Sequence, residues 1–166
     1  MWSRSQVGSV QINRELINIY QITNTNLSLM KLNADNKQIK LINKIPENTT
    51  AFADMNMIDT VIRNLISNSL KYSDEGDTIT VDSEITDDFV TVKISDTGMG
   101  MSEEIQNKLF KIDKQITSVG TKQEKGTGLG LILCKEFVDK HCGKIWAESK
   151  QGKGSDFYFT LPNEGN

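Results

Sequence analysis

Residues 64–73 read NLISNSLKYS, and the polar positions inside that apolar rhythm decide how the chain is read. Val61, Ile62, Leu65 and Ile66 carry the spacing of a packed helical stripe. Asn64, Asn68 and Lys71 recur at the same spacing, within about 80° of one another on the helix surface. Asparagine costs a helix roughly half a kcal/mol or more per site against alanine. An amide buried without a partner costs roughly 1–3 kcal/mol more, so an inward-leaning asparagine face needs something polar to hold. A neutral amide oxygen suits Mg²⁺, which takes few protein oxygens beside waters and phosphates, and a lysine one turn on can offset phosphate charge. Taken alone, a solvated polar face accounts for the same three residues.

The rest of the chain sets bounds on that choice. Its 166 residues suffice for one ordinary domain, and its charged and apolar fractions, 25% and 37%, argue against wholesale disorder. A net charge of −3, with no Lys/Arg block or basic stripe, makes nucleic acid a poor partner. Cys134 and Cys142 form no metal pattern and read as two packed thiols in a reducing compartment. No run approaches the roughly 18 apolar residues of a membrane span. The start, MWSRSQVG, has no apolar signal core, so the expectation is a soluble, intracellular piece of a larger chain.

Periodicity gives the order of elements. VGSVQIN (7–13) alternates as a short strand; Arg14 to about Asn36 reads as a long amphipathic helix with Leu16, Tyr20, Leu27 and Ala34 on one face. Ile39 to Ile45 alternates up to Pro46, and Thr50 to Ala53 suits a second short strand. Asp54 is placed to cap a helix running to about Tyr72, followed by a turn at SDEGD. TITVDSEIT and FVTVKIS form a hairpin about Asp87-Asp88. A short helix follows DTGMGMSEE, residues 111–125 read as a mobile loop, and GTGLGL opens a helix to about Lys140. KIWAESK and SDFYFTLP close the chain as a second hairpin. The class is α+β: a two-layer sandwich of a mixed, mostly antiparallel sheet of about five strands, covered on one face by three main helices.

Three further segments carry chemistry. In DTGMG (96–100) Asp96 can accept a hydrogen bond from an exocyclic amine, while Gly98 and Gly100 let backbone pass close to a flat ligand. A turn after a strand explains that segment equally well. KGTGLGL (125–131) leaves backbone N–H groups facing a phosphate at a helix start. It is neither a Walker A loop nor GxGxxG, since its spacing is GxGxG and no strand precedes it. Between the two, Lys111, Lys114, Lys122 and Lys125 suit a lid over an anionic ligand, or equally a solvated loop.

Together and in this order, NLISNSLKYS, DTGMGM, LFKI and GTGLGL resemble the N, first glycine, F and second glycine boxes of the catalytic ATP-binding domain of sensor histidine kinases. That family sits in a superfamily with gyrase, heat-shock chaperone and mismatch-repair ATPases. The resemblance spans about residues 12–162, and it divides the chain into a tail at 1–8 and an ATP-binding domain at 9–163. It implies Mg²⁺ and ATP as cofactors, with Asn68 the metal ligand, Asn64 and Lys71 catalytic contacts near the phosphates, and Tyr72 packed on adenine or ribose. Asp96 would bond the adenine amine, with Gly98 and Gly100 bounding the base pocket. Gly126, Thr127, Gly128, Leu129 and Gly130 would bracket the phosphates, with Met101, Phe110, Lys125 and Leu131 also in the nucleotide site.

Where hydrolytic relatives place a glutamate, this chain has Asn64, so the resemblance implies phosphoryl transfer over hydrolysis. The γ-phosphoryl would pass to a histidine on a separate dimerisation domain, then on to a response-regulator receiver domain, in a bacterial two-component phosphorelay. No nucleic-acid or membrane contact is implied for this segment, which falls in the cytoplasm, with membrane anchoring of the parent left open. His141, the one histidine, falls at a structural position of such a domain rather than at the phosphoacceptor. Phe110 is followed by KIDKQ, without the F box's usual second aromatic. That departure keeps open a degenerate nucleotide-binding or interaction module; a second alternative is a serine kinase of the anti-sigma type, against which the preceding tail and the long lid favour the histidine kinase.

Overall fold

The computed structural model describes residues 11–111 and 129–163. The described chain runs β1 (Arg14–Asn18), α1 (Ile19–Lys37), β2 (Lys40–Asn43), β3 (Thr50–Asp54), α2 (Met55–Lys71), β4 (Thr78–Ile85) and β5 (Phe89–Asp96). It continues through α3 (Glu103–Lys108), α4 (Leu129–Lys140), β6 (Ile145–Ser149) and β7 (Ser155–Pro162). The main sheet has five strands in the order β2-β4-β5-β7-β6, parallel at β2–β4 and antiparallel elsewhere. This is the expected α+β sandwich.

Alternation decides which sheet face meets the helices. Ile79, Val81, Val90, Val92, Ile94, Phe157, Phe159 and Leu161 are buried from β4, β5 and β7, while the residues between them reach solvent. Against that face α2 lays Ile58, Val61, Ile62, Leu65 and Ile66, each fully buried. Each such side chain taken out of water contributes about 1.5–3 kcal/mol, so this layer is the main apolar support of the fold. The Asp54 carboxylate caps α2 by accepting from Met57 N at 3.1 Å, the role expected of it. No described helix is long and apolar enough to cross a membrane.

Two expectations need correction. The helix read from Arg14 begins at Ile19, because residues 14–18 form β1 and pair antiparallel with β3, Leu16 opposite Phe52. Leu16 fits a helical spacing with Tyr20, yet it sits on a strand and is 64% exposed. Pairing with a strand more than thirty positions along outweighs local periodicity, and Asn18 starts the helix by accepting from Gln21 N at 2.9 Å. In the strand read over 7–13, residues 7–10 lie outside the described residues and 11–13 are irregular. The second correction concerns the thiols: Cys134 is buried in the core, but Cys142 is exposed. The turn at residues 141–143 sets that outcome, with Cys142 at φ 59° and Gly143 N bonded to Val138 O at 3.1 Å.

Candidate nucleotide site

The C-terminal half of α2 is one wall of the site. Asn64, Asn68 and Lys71 are half-buried along it, beside the buried stripe. Asn64 faces the start of α4: a Cβ at Gly130 would stand 3.6–3.8 Å from its amide atoms, an ordinary contact. Further along α4, burial pushes the Cys134 thiol up to about 12, partly offset by the Asn64 side chain, and Sγ lies 3.8 Å from Val61 O. Asn64 is thus held between two helices.

At the end of α2 the Lys71 ammonium sits 4.9 Å from the Tyr72 ring centroid. Lys37, from the last turn of α1, donates to Leu70 O at 2.7 Å, a carbonyl that also accepts from Ser73 N at 3.4 Å.

Asp96 ends β5 facing this wall, with only 6% of its surface exposed. Its Oδ1 accepts from Gly98 N at 2.9 Å and from Ser155 N at 3.3 Å, so both backbone donors land on one oxygen. Burial raises its pKa from 3.8 to about 6, against the lowering by the Gly98 N–H, Ser69 and the Ser155 N–H; the charge of Asp156 adds to the rise. Ser69 Oγ is buried and makes no hydrogen bond of acceptable geometry, so its effect on Asp96 is that of a nearby dipole. The loop after Asp96 packs on the end of α2. Met99 N donates to Tyr72 O at 3.1 Å, and a Cβ on Gly98 would fall 2.4 Å from that same oxygen. Gly100 has φ +69°, and its Cβ would meet Lys150 O at 2.1 Å.

The structure therefore brings Asn64 to Gly130, Tyr72 to Gly98, and Asp96 to Gly98. Met101, Phe110 and Leu131 are half-buried and pack against the core. Lys125, Gly126, Thr127 and Gly128 lie outside the described residues, as do Lys114, Lys122 and the Leu129 side chain; Lys111 is exposed. Sequence reading missed Ser69, Ser149, Ser155 and Gln106. A signal existed only for Ser69, which adjoins Asn68 on the face of α2 turned to Asp96.

A buried carboxylate with one oxygen engaged can recognise a hydrogen-bond donor on a flat ligand beside the glycine backbone. Asn68 offers a neutral oxygen, and among the described residues no three His, Cys, Asp or Glu side chains converge as a metal cage. That donor set fits Mg²⁺ held mainly by phosphate oxygens and water.

Comparison with known proteins bears on the family and the fold. Residues 53–165 match the model of the family described as histidine kinase-, DNA gyrase B-, and HSP90-like ATPase. The chain is 40% identical over 112 residues to the adaptive-response sensory kinase SasA of Prochlorococcus marinus, covering 67% of this chain and 29% of that protein. It is 33% identical over 155 residues to the sensor histidine kinase WalK of Bacillus subtilis, covering 92% of this chain and 25% of that one. The chain thus spans between a quarter and a third of the length of these two relatives. The catalytic domain of histidine kinase ThkA superposes with a TM-score of 0.79 at 27% identity, covering 91% of this chain and 98% of that chain. ThkA in complex with the response regulator TrrA superposes at 0.76 with 24% identity, covering 96% and 45%. From the family match and the shared fold, the chain belongs to the histidine kinase-, DNA gyrase B- and HSP90-like ATPase family, as a catalytic ATP-binding domain of the histidine-kinase kind.

Proposed function

We infer that this domain binds Mg²⁺-ATP and donates the γ-phosphoryl group to a histidine on a separate dimerisation domain of its parent protein. The observation that carries the choice of transfer is Asn64: the side chain seated against Gly130 is an amide, which cannot take a proton from water. In this reading Asp96 accepts from the adenine amine, Tyr72 packs on the base or ribose, and Gly98 and Gly100, packed against Tyr72 O and Lys150 O, carry the backbone that bounds the base pocket. Lys71 would offset phosphate charge, and Asn68 would hold a magnesium ion, which would supply charge neutralisation to the phosphates. The terminal P–O bond to ADP breaks as a P–N bond forms to the acceptor imidazole. In the same reading Lys125 and Gly126 to Gly130 would serve the phosphates, and Met101, Phe110 and Leu131 would belong to the nucleotide pocket.

ThkA is found in complex with the response regulator TrrA, and in this reading a response-regulator receiver domain would be the downstream partner of this chain's parent, with the domain acting in the cytoplasm. Two measurements test the reading. Calorimetry should show nucleotide binding that depends on magnesium, and a supplied helical hairpin bearing the acceptor histidine should become phosphorylated. Asn68→Asp should abolish that transfer while moving stability by no more than about 0.5 kcal/mol, as expected of a site on the helix surface. Normal transfer by this variant would remove the metal role from Asn68.

A further inference from the structure

Gln106, on the short helix α3, meets the end of β6 from both sides of its amide. Nε2 donates to Ser149 O at 2.9 Å, and Oε1 accepts from Ser149 N at 3.1 Å. One side chain therefore satisfies a whole backbone unit, as a neighbouring strand does. Nε2 also lies 3.4 Å from Met101 O. The hydroxyl of the same Ser149 continues the path inward. It accepts from Met101 N at 2.8 Å, donates to Gly154 O at 2.8 Å and lies 2.8 Å from Ser155 Oγ. Ser155 N in turn donates to Asp96 Oδ1. Three residues thus join the middle of α3 to the carboxylate of the base pocket.

We propose that Gln106 is a positioning residue for nucleotide binding: through Ser149 it fixes Met101 and, through Ser155, the Asp96 carboxylate in the geometry that receives the adenine amine. The inference rests on the Mg²⁺-ATP reading above. A side chain that merely fastened α3 to the sheet would affect stability and leave affinity alone. The Gln106 path predicts an affinity change that responds to the donor on Nε2.

The test uses this chain and calorimetric titration with Mg²⁺-ATP. Gln106→Glu keeps the shape and the acceptor for Ser149 N, but sets a carboxylate oxygen against Ser149 O. It should bind about tenfold more weakly than the native chain at about pH 8. Protonation returns a donor at that position, so the deficit should narrow to about fourfold at about pH 5, where an ordinary glutamate is about one-sixth protonated. The native chain is measured at both pH values, so the titration of Asp96 is shared. The charges along α3 and β6 (Glu103, Glu104, Lys108, Glu148 and Lys150) are shared as well. Ser149→Ala keeps the backbone pair with Gln106 and removes the hydroxyl link; it should bind about tenfold more weakly at both pH values. Native affinity in both variants overturns the inference while the functional reading stands. If Gln106→Glu does not fold, native affinity in Ser149→Ala overturns it alone. A native chain that fails to bind Mg²⁺-ATP overturns the functional reading and this inference with it.

Discussion

The carbonyl oxygen of Tyr72 stands 2.4 Å from the position a Cβ on Gly98 would take, so the loop after β5 closes on the end of α2 with no space for a side chain. The oxygen belongs to backbone, and it also accepts from Met99 N, so it cannot swing aside. Gly98→Ala should therefore cost about 1–3 kcal/mol of stability, the range for overpacking a close contact. The loop must move to admit the methyl, and it carries the N–H that engages Asp96, so Mg²⁺-ATP affinity should fall with it. Urea denaturation and calorimetry on the same preparation check both halves. A variant of native stability would mean that the contact relaxes freely.

The pKa of Asp96 predicts a pH dependence of binding. Burial lifts it from 3.8 to about 6, and a donor from adenine requires the ionised form. Affinity should accordingly decline by up to about tenfold per pH unit below about 6. Asp96→Asn should bind roughly tenfold to a hundredfold more weakly at neutral pH, the cost of losing a charge-assisted bond. It should also lack the native chain's extra pH slope; the phosphate groups of the nucleotide titrate alike in both titrations. Stability carries the opposite sign. Because the folded value is raised, the contribution of protonated Asp96 is complete below 3.8 and is lost as pH rises through about 6.

The two thiols should separate cleanly in a labelling experiment. Cys142 is exposed, whereas Cys134 is buried with its pKa pushed up to about 12 and almost no thiolate at neutral pH. A maleimide reagent should modify one equivalent quickly in the native chain, at Cys142, and the second only as denaturant unfolds it. Two fast equivalents would show that the packing between α2 and α4 opens readily.

What could be read from sequence follows the distance over which each feature is determined. The Asp54 cap, the stripe of α2 and the hairpin about Asp87-Asp88 are written within a few residues of themselves, and the structure has all three. So are Asn64, Asp96 and Gly98, which sit inside short motifs and which the structure brings to Gly130, Gly98 and Tyr72. β1 escaped because its partner is β3, and nothing local to Leu16 announces Phe52 opposite it. Ser149 and Ser155 escaped for the same reason. Their bonds to Gln106 and Asp96 span 43 and 59 positions and depend on how β6 and β7 align with the rest of the sheet. The residues that hold the pocket were thus less legible than those that form its wall.

His141 is wholly buried, and both ring nitrogens are committed. Nδ1 lies 2.7 Å from Phe137 O, and Nε2 accepts from Asp54 N at 2.9 Å, so the ring must be neutral with its proton on Nδ1. Burial, with a smaller push from the charge of Arg14, lowers its pKa below 6.5 against the opposing pull of Phe137 O and Asp54. A lowered histidine favours the unfolded chain as protons arrive. Its contribution is complete above 6.5 and is lost as pH falls through that value towards the lower folded one. Asp96 slopes the other way over much of the same window, so the measurement belongs in an Asp96→Asn background. There the urea midpoint should drop between about pH 7 and about pH 5.5, and His141→Gln should remove most of that drop. His141→Ala should cost about 2–4 kcal/mol at neutral pH, because it leaves a cavity and an unpaired Asp54 N–H where α2 begins. Equal pH slopes with and without the imidazole would show that this buried ring does not couple protonation to folding.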